Sequence, residues 1–347
     1  MATVKDVAKL AGVGSGTVSR YISGTGSVSR KSGEKIARAI EQLNYRPNSM
    51  ARSLSSRRSD LIGVWVPSLE GPYYHMMIRT IESALRLQGK HMILANAEDA
   101  QSNEDRLAHL DYLINRDCDG ILISSSLQSE FELARYAEKF SNLVVMNHHT
   151  DELAGRCFSI DHDLGGRLAA RHLVELGHTR VATITGRLSA LDARQRHVAF
   201  LDEMAKLGHP VVPERIVEGA FSYAGGEQAV AALLASSADY SAVFCGNDKV
   251  AMVLIAELHK RSISVPGDVS VIGYDDVEFT PYTAPALSTI HAPIEEMSQS
   301  ACHQLLNLTY GLELPYQEHF EPSLSVRQST GSCSLQLAQC PDGRMAV

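Results

Sequence analysis

Eight residues between positions 73 and 275 combine the chemistries needed to hold a small polyhydroxylated ring. Tyr73, Tyr74 and Phe221 offer flat apolar faces, Asn147 and Asn247 amides, Asp192 and Asp275 carboxylates, and Arg196 a guanidinium. The apolar face of a sugar stacks on an aromatic ring, and charged groups fork onto neighbouring hydroxyls. No phosphate loop, G-x-S-x-G elbow, H-E-x-x-H pair or complete dinucleotide fingerprint accompanies them, so the pattern reads as binding rather than catalysis. Asp248 and Asp276 read as helix caps, and the adjacent His148 and His149 as surface residues. Asp161-His162-Asp163 reads as a helix start rather than a metal site, and neither a metal nor any other cofactor is expected.

These residues fall where an α/β chain would place a ligand. From Leu61 onward an apolar strand followed by an amphipathic helix recurs every 25 to 30 residues or so. Strands are expected to start near Leu61, His91, Gly120, Leu143, Phe158, Val181, Ile216, Ala242 and Val269, with helices such as Met76 to Leu87 and Leu164 to Leu176 between them. Two Rossmann-like halves of about 100 to 130 residues suit usual domain sizes better than one nine-stranded sheet. In doubly wound sheets ligands bind beyond the carboxyl ends of the strands, and the eight residues follow strands.

The first sixty residues have a different chemistry. They carry 11 Lys plus Arg against 4 Asp plus Glu, a balance of +7, whereas the whole chain is −8 and the remainder therefore −15. A basic head on an acidic body is the electrostatic footprint of nucleic-acid binding. Thr3-x-x-Asp6 reads as a capping box opening a helix that Gly12 stops. Ser15 to Ile22 forms a second helix, with Val18, Tyr21 and Ile22 on one face, and Lys31 to Asn44 a third that Ser29 caps and that brings Ile36, Ile40 and Leu43 to the same core. Two short helices joined by a glycine turn make a helix-turn-helix, whose second helix enters the major groove. Ser15, Gly16 and Arg20 then face base edges or phosphates, and Arg20 can grip guanine O6 and N7 together.

At 347 residues and 37.8 kDa the chain has room for roughly two domains. Its 44% hydrophobic and 21% charged residues are those of a globular protein. No apolar run of about 18 residues spans a membrane, and Lys5, Asp6 and Lys9 interrupt any signal peptide, so a cytoplasmic, nucleoid-associated protein is expected. The six cysteines form no C-x-x-C pair and read as reduced thiols.

The stretch Thr3-Val4-Lys5-Asp6-Val7-Ala8-Lys9-Leu10-Ala11-Gly12-Val13, followed by Thr17-Val18-Ser19-Arg20, resembles the lactose-repressor family, and its galactose-repressor branch in particular. Leu43-Asn44-Tyr45-Arg46-Pro47-Asn48 and Met50-Ala51-Arg52-Ser53-Leu54 are similar to the family's second marker, a hinge helix that folds on operator DNA. Asn48 suits its cap, Ala51 lets two copies approach, and Leu54 suits a minor-groove wedge. With Thr3, Thr17, Ser29 and Tyr45 these complete the residues expected at DNA. Gly246-Asn247-Asp248-Lys249-Val250-Ala251 and Val269-Ser270-Val271-Ile272-Gly273-Tyr274-Asp275-Asp276 match two body motifs, and Arg196 and Phe221 stand where relatives carry an effector-binding Arg and a stacking aromatic. Gly14 and Gly16 depart from the relatives, removing a usual serine cap and a base-reading side chain.

The resemblance implies a helix-turn-helix head (1–46), a hinge helix and linker (47–59), a two-lobed, periplasmic-binding-protein-like effector and dimerisation domain (60–330), and a disordered tail (331–347). It implies a homodimer that binds a near-palindromic operator and is released by a small sugar, a galactose-like hexose being favoured. Purine-binding relatives carry an Arg near Ala190, which this chain lacks, and the tail has no heptads for a tetramer-forming coil. The alternatives are a solute-binding protein of a sugar transporter, which the basic head disfavours, and a repressor that answers a non-sugar effector.

Overall fold

The computed structural model describes every residue except 1, 24–25, 46–57, 98–101, 125–129, 149, 151–152, 237 and 334–347. The chain divides into two compact units, the first comprising residues 1–61 with 117–119 and the second the remainder.

The head contains α1 (Val4–Ala11), α2 (Ser15–Ser23) and α3 (Arg30–Gln42). The capping box is present in full: Thr3 accepts the Asp6 backbone N–H, and the Asp6 carboxylate accepts from the Thr3 backbone. Gly12 ends α1 in the left-handed region at φ 67°. In α2, which begins at Ser15, the Gly14 carbonyl accepts the Thr17 N–H at 2.9 Å. Ser29 caps α3 by accepting the Ser32 N–H. Val7, Ala8, Ala11, Val18, Ile36 and Ala39 form the core, and Ile22, Ile40, Leu43 and Tyr45 pack against it. Tyr21, expected in that core, is exposed and lies over Gly33 instead, where a Cβ would come within 3.2 Å of its ring. So small a core has little reserve. Ile36→Ala is expected to cost about 3 kcal/mol and to unfold the head while the body melts normally, a separation that calorimetry of the intact chain would read.

The body holds two six-stranded sheets. Its first lobe is built from β1 (Leu61–Val66), α4 (Pro72–Leu87), β2 (His91–Asn96), α5 (Asn103–Ile114), β3 (Gly120–Ser124), α6 (Glu130–Lys139), β4 (Leu143–Met146) and β5 (Cys157–Ile160). The second contains α7 (His162–Glu175), β6 (Val181–Thr185), α8 (Leu191–Lys206), β7 (Ile216–Glu218), α9 (Tyr223–Ala235), β8 (Ala242–Cys245), α10 (Asp248–Lys260), β9 (Ser270–Asp275) and β10 (Ser288–His291). Nine strands thus start at, or one residue from, their expected positions. The strand orders β2-β1-β3-β4-β5 and β7-β6-β8-β9-β10 follow one pattern, and each reverses direction beside its first strand.

The two expected halves are interleaved in the chain rather than sequential. After β10 the chain returns to the first lobe as α11 (Ile294–Tyr310), packing on α4 and β3–β5, and as β11 (His319–Phe320), parallel to β5. It crosses again to add β12 (Ser323–Ser325) antiparallel to β10. Asp276 anchors this last return: its carboxylate takes Arg327 Nη2 at 2.7 Å and the Ser325 and Thr280 hydroxyls at 2.8 Å. The beginning of the tail is also held, since the Cys333 N–H donates to the Leu176 carbonyl and the Gly331 carbonyl lies 3.0 Å from His178 Nε2. Residues 331–333 of the expected tail are thus tied to the body, and 334–347 lie outside the described residues. Among the described residues no helix is long and apolar enough to cross a membrane.

Candidate functional site

A cavity of about 370 Å³ opens at the carboxyl ends of the strands and is lined from both lobes. This is the crevice that a reversal of strand order creates, because the loops leaving adjacent strands diverge to opposite faces of the sheet. All eight residues expected from the sequence line it: Tyr73, Tyr74 and Asn147 from the first lobe, Asp192, Arg196, Phe221, Asn247 and Asp275 from the second.

On the first lobe Tyr73 Oη donates to Asn147 Oδ1 at 2.9 Å, and Asn147 Nδ2 donates to Ser124 Oγ at 3.3 Å. Asn147 takes φ 60°, a conformation that Asn tolerates better than most residues. Burial, followed by the charge of Asp275, pushes the Tyr73 phenol well above its ordinary value, so it remains a donor.

Arg196, 3% exposed, organises the second lobe. Its Nη1 donates to the Gly246 carbonyl at 2.6 Å, and its Nη2 reaches Asp192 Oδ2 at 3.3 Å. The guanidinium lies 3.9 Å from the Tyr274 ring centroid and 5.2 Å from that of Phe221. The Phe221 ring fits because Gly186 and Gly246 lack side chains: a Cβ at either would stand 2.5 to 2.9 Å from it.

Behind the guanidinium, His162 Nδ1 pairs with Tyr274 Oη at 2.9 Å. Burial, then the Arg196 charge, lowers the His162 pKa to about 3, so the ring is neutral. Asp275 is pushed up to about 7, chiefly by burial and further by Asp192. Arg196 does not cancel that burial because its Nη1 stands 3.7 Å from Asp275 while its closer contact goes to the Gly246 carbonyl.

The helix cap expected at Asp248 is made by its neighbour. Asn247, not Asp248, caps α10, accepting the Val250 N–H at 3.0 Å, although its side chain still borders the cavity. Asp248 is buried beneath it, where it accepts from Thr289 Oγ1 at 2.5 Å and the Val277 N–H at 3.0 Å. A cap needs only a short side chain that bends back on its own helix, whereas Asp248 ties β9 to β10. Asp276, also expected as a cap, anchors the return strand instead. His148, expected at the surface, is buried; His149 lies outside the described residues. Asp161 caps α7 through the Leu164 N–H, as its position suggested.

Glu70, Ser124, Arg187 and Lys249 also line the cavity and were not singled out from the sequence. Lys249 was legible, standing two residues beyond Asn247 at a strand end. Glu70 stands equally close behind the end of β1.

In the head, Ser15, Gly16 and Arg20 are exposed along α2, where Arg20 Nε donates to the Gly16 carbonyl at 3.3 Å. Thr17 is half-buried, and Thr3 and Ser29 serve as caps. Tyr45 packs against the head core, and its N–H donates to the Ile40 carbonyl. Asn48, Ala51 and Leu54 lie outside the described residues.

A trihelical basic head with a two-lobed, strand-end binding cavity defines a ligand-responsive DNA-binding regulator. The lacI family of bacterial regulatory proteins matches residues 3–48, and a periplasmic binding protein-like domain matches residues 170–330. The chain is 32% identical over 337 residues to the transcriptional regulator GalR of Escherichia coli (strain K12), covering 97% of this chain and 98% of that protein. It is 34% identical over 337 residues to the transcriptional repressor PurR of Actinobacillus pleuropneumoniae serotype 3 (strain JL03), covering 95% and 98%. Among solved structures it is similar to the lac repressor dimer bound to operator and the anti-inducer ONPF, with a TM-score of 0.85, 27% identity, and 95% and 99% of the two chains covered. The chain belongs to the lacI family, and is a transcription regulator rather than an enzyme.

Proposed function

We propose that this chain is a homodimeric repressor of a carbohydrate-utilisation operon, acting on DNA in the cytoplasm, and that a galactose-like hexose binding between its lobes releases it from a palindromic operator. The observation that carries the reading is the cavity itself. Its volume, about 370 Å³, lies near the lower end of small-molecule sites. Both lobes supply an aromatic face and polar groups, Tyr73, Tyr74 and Asn147 on one side and Phe221, Arg196, Asp192, Asn247 and Asp275 on the other, a lining suited to a hexose's apolar face and hydroxyl edge. Purine-binding relatives carry an arginine near Ala190, but Arg187 lines the cavity beside Ala190, so the preference for a sugar rests on the rest of the lining and not on this position.

In the head, Ser15, Gly16 and Arg20 meet the major groove, and two copies of the chain meet two half-sites. The hexose acts by binding the DNA-released conformation more tightly, and a coupling of about 1–3 kcal/mol changes operator occupancy by severalfold or more.

A thermal-shift screen against galactose, glucose, fucose, ribose, sugar phosphates, β-glucosides and purines tests the assignment. A ligand at about 100 times Kd adds about 2.7 kcal/mol and raises the melting temperature by several degrees. Galactose or a close relative is expected to shift it and to release the bound operator; a shift by purines alone overturns the hexose reading. For the hinge, Leu54→Ala is expected to weaken operator affinity and leave hexose binding intact. Unchanged operator affinity in a gel-shift titration sinks the wedge.

A further inference from the structure

Glu70 and Lys249 join the two lobes at the edge of the cavity. Lys249 stands on the first turn of α10, in the second lobe, with a side chain only 7% exposed. Its Nζ lies 3.2 Å from the main-chain oxygen of Glu70 and 3.7 Å from Glu70 Oε1, both in the first lobe. The same Oε1 accepts the backbone N–H of Tyr223 at 3.0 Å, on the first residue of α9. The ammonium also lies 5.1 Å from the centroid of the Tyr223 ring.

Several physical features make this arrangement specific. The Tyr223 N–H belongs to the first turn of its helix and has no partner within it, and a carboxylate is favoured at that end of the helix dipole. The lysine stem crosses directly over Gly71, where a Cβ would stand 2.6 Å from Cε and 2.7 Å from Nζ. Gly71 also has φ +90°, so any side chain there is opposed by both the backbone and the lysine. Glu70 is 34% exposed, whereas Arg196 and Asp275 are 4% and 8% exposed at the side chain, which puts the contact at the rim and the polar cluster on the floor. With one partner almost wholly buried, the pair is screened less than a surface ion pair.

We infer that Glu70 and Lys249 are positioning residues of this cavity, clasping the two lobes together at its rim. The inference rests on the cavity being the effector site. The clasp sets the spacing at which Tyr73 and Asn147 of one lobe face Asp275 and Arg196 of the other. Exchange of a ligand past this flank then requires release of the clasp.

Hydrogen–deuterium exchange of the full-length, ligand-free protein tests this. Lys249→Met keeps the apolar stem over Gly71 and leaves Glu70 available to Tyr223, so it removes only the ammonium. The clasp predicts that the Tyr223 amide and residues 69–74 exchange about tenfold faster in this variant, while β8 keeps its protection. Lys249→Arg restores the protection. Equal protection in the native protein and Lys249→Met overturns the inference. If Lys249→Met also loses protection in β8, the arginine variant decides, and its failure to protect the Tyr223 amide overturns the inference as well. D-Galactose serves as the separate probe of function. If it leaves the native protein unaffected while the exchange pattern holds, the hexose reading fails and the clasp stands; if it binds and the pattern is absent, the clasp fails and the hexose reading stands.

Discussion

Arg196→Met is expected to lower the stability of the body by about 3–5 kcal/mol, the cost of removing one partner from a buried ion-pair network, and to abolish hexose binding. Methionine fills the volume between the Tyr274 and Phe221 rings but supplies no donor. The Gly246 carbonyl, held at 2.6 Å, loses its partner, and the Asp192 and Asp275 carboxylates lose the nearby guanidinium. Asp275 can relieve part of that cost by binding a proton, so the loss is expected to be smaller at pH 5.5 than at pH 8. Arg196→Lys recovers little, because an ammonium has neither the planar fork nor the stacking surface that two facing rings require. Denaturant titrations at the two pH values measure the effect, with operator binding by the separately cored head as the control. A loss below about 1 kcal/mol would show that water reaches this network.

For Asp275 the expected result is a pH dependence of both stability and ligand affinity. Its carboxyl is pushed from 3.8 up to about 7 in the folded protein, chiefly by burial. Between those values the folded chain holds a proton that the unfolded chain has lost. Folded stability therefore falls as pH rises through this window and levels off above it. Asp275→Asn is expected to flatten that part of the profile and to be more stable than the parent near pH 8. On the proposed hexose reading affinity moves the other way in the parent, because sugar hydroxyls would donate to the ionised carboxylate: binding is expected to tighten between pH 6 and pH 8. In the variant the affinity is low and flat across this range, giving a repressor that holds operator DNA in the presence of sugar. Calorimetric titrations at three pH values would settle it, and a parent whose affinity is independent of pH would remove Asp275 from hexose contact.

The cavity shows where sequence reasoning reaches and where it stops. Every residue expected to face the ligand lines the cavity, because each follows a strand and the crevice in this architecture always lies beyond strand ends. The roles within it were less legible. Asn247 and Asp248 are neighbours with similar side chains, and only the packing of β9 against β10 makes one a cap and the other a buried tie. His148 and Tyr21 were misplaced for the same reason: a single sequence shows that a side chain is amphipathic, not which of its ends the tertiary structure will cover. Glu70 stands behind a strand end as Lys249 does, but their pairing was not legible, because the partners of Glu70 lie 153 and 179 positions away.

The sequence by itself determined what depends on near neighbours along the chain: the caps of α1 and α3, the αL stop at Gly12, the starts of nine strands, and the separation of a basic head from an acidic body. The tertiary structure alone decided the return of α11 and β11 to the first lobe, the burial that raises Asp275, and the contact of Glu70 with Lys249. Caps, turns and periodicity are energies of residues a few positions apart, and they are written locally. Desolvation and long-range pairing depend on what the whole fold brings together, and they exist only once it has closed.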